Sequence, residues 1–458
     1  MIFSSTLFLF RFLPITLLFY YIVPKKWKNP VILLFSLFFY SWGEVKYFPI
    51  MVLAILVNYL AALGIARFDQ KPGLRRLFFL IALFVSLGQL FFFKYYNFFS
   101  RNIEGLTGLS LPLVKLALPL GISFYTFQTL TYTVDVYCRK VSAERNLINF
   151  ATFVVLFPQL IAGPIVKYTD IDKELKDRTI SLQQVEDGVK LFIFGLGKKV
   201  LIANNIGLLW TEIESRGFDG ISTPLAWLAV VAFGLQIFFD FSGYSTMAIG
   251  LGKMLGFEFP QNFNYPYISR SITEFWRRWH MTLGSFFREY VYIPLGGNRK
   301  GKARQYLNLL IVWALTGFWH GAEWNFILWG LYFFVFLVLE KAFLLKFLEK
   351  HKILSHIYLI FLILVGWAIF QITDMAQLGL FLQRMFAFDF SLDWLYYLRN
   401  YAVILLIGIL FSTPLPEKLY KRLEHLRLVP VLVCGVILAV CVAYLVDASY
   451  NPFLYFRF

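Results

Sequence analysis

Apolar windows recur from one end of the chain to the other, and each is long enough to cross the ~30 Å hydrocarbon core of a bilayer or most of it. They fall at 4–23, 30–42, 46–66, 77–96, 115–138, 146–162, 188–208, 224–252, 303–318, 322–346, 354–371, 397–413 and 428–447. Lipid provides no water for unpaired backbone groups, so only helices and closed barrels span it. Windows this long and this evenly apolar predict helices rather than barrel strands. Some are interrupted. The 115–138 stretch carries Lys115, Pro119, Gly121, Gln128 and Asp135, which predicts a re-entrant or bundle-buried segment. Pro158 and Gly163–Pro164 break 146–162. About eleven true crossings are therefore expected. The polar segments 165–187 and 374–394 fit amphipathic helices at the membrane surface. Phe3 to Val23 lacks a basic start and a small-residue cleavage site, so it reads as a first span rather than a signal peptide.

The expected fold is all-α, a polytopic integral membrane protein. Its single domain, 1–458, divides into N-terminal helices 1–110, a catalytic core at about 115–340 and C-terminal helices 341–458. Composition agrees: 59% of the residues are hydrophobic and 15% charged, more apolar surface than a soluble chain of 458 residues can hide. The net charge of +16 follows mostly from the positive-inside rule. Lys25, Lys26 and Lys28 follow the first span, and Arg67, Lys71, Arg75 and Arg76 follow the third. Both loops are expected in the cytoplasm, which puts the N-terminus outside. A basic inner mouth would also attract a polyanionic donor; no nucleic-acid partner is expected. Cys138, Cys434 and Cys441 have no metal or redox spacing and read as small apolar fillers.

Candidate chemistry concentrates between Gln236 and Trp329. Asp240 lies inside an apolar run, followed by Ser242 and Tyr244. An ionisable group at membrane depth is a functional candidate, and a polar network among these three residues is the structural alternative. The stretch 273–293, TEFWRRWHMTLGSFFREYVYI, predicts one amphipathic helix. At 100° per residue Glu274, Arg277, Arg278 and Arg288 share one face, while Trp276, His280, Leu283 and Phe287 share another. Glu274 and Arg278 form an i,i+4 pair. The basic loop 296–304, with Arg299 and Lys300 beside glycines, is either a cytoplasmic loop or a phosphate-contacting mouth. In LTGFWHGAEWN, His320 sits between two apolar runs, flanked by Trp319 and, five residues on, Asn325. Of five histidines, His351, His356 and His425 lie in polar loops or near span ends; His280 and His320 lie together in this segment. A neutral imidazole is the natural base for a hydroxyl.

The pairing of FWRRWHMTLGSFFREYVYIPLGG with LTGFWHGAEWNFILWG resembles the membrane-bound O-acyltransferase family. The likeness extends to FSSTLFLFRFLP, LPLGISFYTFQTLTYTVDVYCRK, FPQLIAGPIVKY and the terminal PFLYFRF. Within the family it looks like the bacterial branch that O-acetylates alginate and peptidoglycan and D-alanylates teichoic acid. The resemblance implies a ring of helices around a thinned centre with a through-membrane tunnel. It matches the family's histidine to His320 and the upstream partner to His280. No tightly bound cofactor and no metal is implied. The donor would be acetyl-CoA or an acyl-carrier thioester, met by Arg277, Arg278, Arg299 and Lys300; Arg288, Trp276, Trp279, Trp319, Asp240, Ser242, Tyr244 and Asn325 are further donor or tunnel candidates.

The implied reaction has His320 activating a hydroxyl as general base and His280 orienting it or bonding the carbonyl oxygen. The acceptor is a polysaccharide outside the cell or a secreted or membrane-anchored SGNH-type relay protein, with the chain in the bacterial cytoplasmic membrane. D-alanyl transfer to teichoic acid, and acylation of a lipid or a protein, remain open. A transporter or flippase without chemistry is the rival class. Transporters commonly show two matching halves, and no internal repeat is visible here.

Overall fold

In a computed structural model, residues 2–114, 117–161, 163–426, 428–447 and 454 are described; Lys115 and most of the PFLYFRF terminus lie outside these. Among the described residues the regular structure is helical. Eight helical stretches are long and apolar enough to cross a membrane, one of which, Lys25–Arg67, holds the two predicted spans 30–42 and 46–66. Phe8–Ile22 is shorter. Gly301–His320 is long enough, but Arg304, Gln305 and Asn308 lower its apolar character. The chain is thus an all-α, multi-pass membrane protein. It folds into two compact units: Met1–Phe192 with Ser245–Pro260, and Ile193–Tyr244 with Gln261–Phe458.

In the first unit a cluster of Phe3, Phe8, Phe12, Phe39 and Phe157 rings, with centroids 4.9–6.3 Å apart, packs the N-terminal helices. The interrupted 115–138 window becomes the helix Ile122–Tyr137, in which every residue but Val134 and Tyr137 is buried. It is a bundle-centre helix, as its polar residues demanded. Gly121 starts it at φ +70°, with the Leu160 carbonyl oxygen where a side chain would be. Asp135 pairs with Lys140 at 3.1 Å. The 146–162 window splits at Leu156 into Leu147–Val155 and Phe157–Leu160. Tyr168–Lys176 is a short amphipathic helix of this unit, and Met375–Met385 is its counterpart in the second.

Cys434 and Cys441 are buried, as fillers should be, but Cys138 is exposed just past the end of Ile122–Tyr137. The filler reading fails there because Cys138 stands where the chain leaves the bundle.

One polar tie crosses three helices of the first unit. Asn58 in Phe48–Arg67 donates to Ser86 Oγ (3.0 Å) in Pro72–Leu90 and accepts from Thr133 Oγ1 (2.9 Å) in Ile122–Tyr137. Such interhelical bonds contribute modestly, because unfolded chains in lipid also find partners. Asn58→Ala is expected to lower stability by about 1 kcal/mol, read as an earlier heat-denaturation midpoint in detergent with unchanged helical circular dichroism.

Candidate active site

The site lies wholly in the second unit and rests on a glycine-lined hairpin. Gly301–His320 and Trp324–Leu339 run together with almost no side chain between them. A methyl on Gly317 would overlap the Phe326 carbonyl oxygen, and one on Gly330 would overlap that of Trp313. Only glycine permits this approach, as in small-residue helix contacts generally. The hairpin sets His320, the last residue of its helix and 8% exposed, among aromatic rings. Its imidazole meets Trp319 at 4.9 Å, Trp329 at 5.1 Å and Phe370 at 5.1 Å between centroids. Asn325 holds the Phe370 wall: its amide donates to the carbonyls of Ile369 (3.1 Å) and Phe370 (2.9 Å), at the otherwise unpaired end of Lys352–Gln371. It is therefore a positioning residue of that wall, not a group facing the cavity.

His280 is placed differently from the sequence expectation. The predicted helix 273–293 is broken. Ile272–Arg278 ends, and Met281–Phe287 begins after His280 itself, which adopts φ 43°, ψ 54°. A non-glycine residue in that region is strained unless its surroundings hold it. Asn262, which the sequence reading missed, does so. Its Oδ1 faces His280 Nδ1 at 3.0 Å and also accepts from Thr282 Oγ1 (3.0 Å) and Thr282 N (3.3 Å), while its carbonyl accepts from Met281 N (2.9 Å). The Thr282 amide can only donate, so the Asn262 side chain presents its oxygen. Nδ1 of a neutral His280 then carries the proton and Nε2 the lone pair.

The preceding helix is anchored by a second missed residue, buried Glu340. Its carboxylate accepts from Ile272 N (2.6 Å), Thr273 N (2.8 Å) and Thr273 Oγ1 (2.6 Å), at the positive end of the helix. The Trp319 ring touches both imidazoles, at 4.9 Å from His320 and 6.1 Å from His280. His280 also lies edge-on to Phe241 at 4.8 Å.

A narrow cavity of about 20 Å³, room for about one water, opens on His320. Phe241, Trp279, Trp329, Trp367 and Phe370 wall it, and Asp240 is the one charged side chain among the described lining residues. Asp240 is not joined in the network expected with Ser242 and Tyr244. Its partners are Lys199, 2.7 Å away with both side chains almost fully buried, and the Leu454 amide at 2.9 Å. Lys199 Nζ also donates to Asn204 Oδ1 at 2.7 Å. Nothing in the sequence marked Lys199, because its partner lies 41 residues on, in another helix. Ser242 and Tyr244 are buried in the same helix as Asp240, outside the cavity wall.

The cationic candidates stay away from this cavity. Arg277, Arg288, Arg299 and Lys300 are exposed. Arg278 is paired with Glu274 at 2.9 Å, as the i,i+4 spacing foresaw. Trp276 packs between Trp313 (5.0 Å) and Trp329 (5.3 Å), behind the cavity rather than in it.

The family model for MBOAT, membrane-bound O-acyltransferase, matches residues 139–355, the stretch holding Asn262, both imidazoles and the glycine hairpin. The chain is 40% identical to the probable alginate O-acetylase AlgI of Pseudomonas syringae pv. tomato over 401 residues, covering 86% of this chain and 76% of that protein. This chain belongs to the membrane-bound O-acyltransferase family. It is also 37% identical to the peptidoglycan O-acetyltransferase of Helicobacter pylori over 410 residues, 81% of this chain and 77% of that one. A teichoic acid D-alanyltransferase of Streptococcus thermophilus matches at 29% over 244 residues, 50% of this chain and 58% of the relative. Membership makes the chain an acyltransferase, and the rival reading as a transporter without chemistry falls away.

The buried ion pair yields a stability test. Asp240→Leu takes the counter-charge from buried Lys199 and is expected to destabilise by about 3–5 kcal/mol, seen as loss of monodisperse protein on gel filtration in detergent. Adding Lys199→Met should restore most of it.

Proposed function

We propose that this chain moves an acetyl group from a cytoplasmic thioester, acetyl-CoA or an acyl-carrier thioester, to hydroxyls of an extracytoplasmic polysaccharide or of a relay protein of the SGNH type. In this reading it sits in the bacterial cytoplasmic membrane with its N-terminus outside, as the Lys25–Lys28 and Arg67–Arg76 loops suggest. The observation that carries the reading is His320, fixed at the end of a glycine hairpin and opening on an aromatic cavity.

His320 takes the proton of the acceptor hydroxyl as the oxygen attacks the thioester carbonyl. The carbon–sulfur bond then breaks, an ester forms, and the thiolate leaves to be protonated. His280, outside the described cavity lining and with Nδ1 committed to Asn262, acts as a positioning residue through the Trp319 ring that touches both imidazoles.

Acetyl is favoured over D-alanyl by the cavity's chemistry. A D-alanyl group brings an ammonium, and the one carboxylate on the wall is already neutralised by Lys199. A second, unpaired cation in an apolar cavity is strongly disfavoured. The relatives named as O-acetylating also align over more of this chain than the D-alanylating one.

His320→Ala is expected to reduce transfer of radiolabelled acetyl to polymer by at least about 100-fold with normal membrane insertion; near-wild-type transfer would remove His320 as base. Asn262→Ala should lower the turnover by about 10–100-fold, and Asn262→Asp, which keeps an accepting oxygen, should recover part of it. Equal loss in both variants would mean that Asn262 only maintains the fold.

A further inference from the structure

The first unit holds a cavity that shares no described lining residue with the one at His320. It measures about 240 Å³ and lies where the helices Lys28–Glu44 and Leu147–Val155 begin. The first turns of both helices border it, together with the last turn of Tyr168–Lys176. Lys25, Lys26, Lys28, Lys176 and Arg178 line it, and no acidic side chain does among the described residues. Lys25 alone of these is drawn to a carboxylate, that of exposed Asp177.

Arg178 marks the site as built rather than accidental. It is 8% exposed, a degree of burial that a cation rarely tolerates without a counter-charge. Its Nε donates to Tyr20 Oη (2.8 Å), and its Nη1 to Asn29 Oδ1 (2.6 Å) and the Glu174 carbonyl (3.0 Å). All of these partners are neutral. The guanidinium also lies over the Phe257 ring at 4.5 Å, which holds its plane. Its Nη2 has no partner. Asn29, in turn, is fixed by Asn149 Oδ1 and the Leu175 carbonyl, each at 2.7 Å. A preorganised guanidinium without a counter-charge, among lysines and helix starts, is the arrangement that receives tetrahedral oxyanions.

We infer that this cavity binds a phosphate group, supplied either by the headgroup of an acidic phospholipid or by the phosphates of a nucleotide-bearing thioester.

The test uses the full chain in detergent. Native mass spectrometry measures retention of phosphatidylglycerol against phosphatidylcholine, and coenzyme A or pyrophosphate is then added as competitor. Wild type should retain phosphatidylglycerol preferentially, and Lys26→Gln/Lys176→Gln, two exposed lysines outside the Arg178 network, should weaken that retention about tenfold or more. Arg178→Gln should do the same if it folds; the lysine variant keeps the test decisive if it does not. Displacement of the lipid by coenzyme A or pyrophosphate identifies soluble phosphates as the occupant, and lipid that resists both identifies a headgroup. If wild type instead binds coenzyme A or pyrophosphate without lipid preference, and the lysine variant loses this, the soluble source is again indicated. The inference is overturned if the lysine variant binds all these probes like wild type, or if Lys71→Gln/Arg76→Gln, outside the cavity, weakens binding as much.

Discussion

Polar and charged groups withdrawn from water must be answered within the protein, and that constraint organises the second unit. Asp240 is answered by Lys199, Asn325 by the carbonyls that end Lys352–Gln371, Glu340 by the amides that begin Ile272–Arg278, and Asn262 by His280 and Thr282. Each bond joins elements distant in sequence. In a low-dielectric interior a half-satisfied polar group is costly, so these pairings allow few alternatives. They fix where the two imidazoles sit more firmly than apolar packing alone would, since lipid tails are as apolar as leucine and give helices little reason to prefer each other.

Packing then supplies what hydrogen bonds do not. The Gly317–Gly330 approach leaves Trp319, Trp329 and Phe370 to fill the space around His320. Indole and phenyl rings meet the imidazole near edge-on, the arrangement that aromatic quadrupoles favour. Trp276 continues this frame away from the cavity through Trp313 and Phe333, which lie 5.0 Å from it. Fifty-three phenylalanines are more than a greasy exterior requires, and many of them build the interior.

The sequence made the helices legible because spans depend on local composition alone, and the observed helices follow the predicted windows closely, from Lys28–Glu44 through Leu428–Asp447. His280 and His320 were legible as candidates because histidine is scarce in this chain. The break at His280 was not legible. Periodicity through FWRRWHMTL is helical on both sides, and the left-handed turn is imposed by Asn262, 18 residues upstream. Lys199 and Glu340 stayed hidden for the same reason: each is an ordinary charged residue until a distant partner makes it a buried one. The arginines of 277–288 were legible as a charged, water-facing set, and Arg277 and Arg288 are exposed while Arg278 pairs with Glu274.

The size of the cavity bears on how acyl transfer would avoid hydrolysis. A hollow that admits about one water beside His320 is also the place where a base would turn that water against a thioester. An acceptor hydroxyl entering the same space must displace it, since the hollow holds about one molecule of that size. Asp240 is the charged residue among the described lining residues, and its two oxygens are turned to Lys199 and the Leu454 amide. The ion pair thus engages the one carboxylate among the described lining residues, so stabilising the fold and weakening that carboxylate's hold on a competing water are two consequences of one contact.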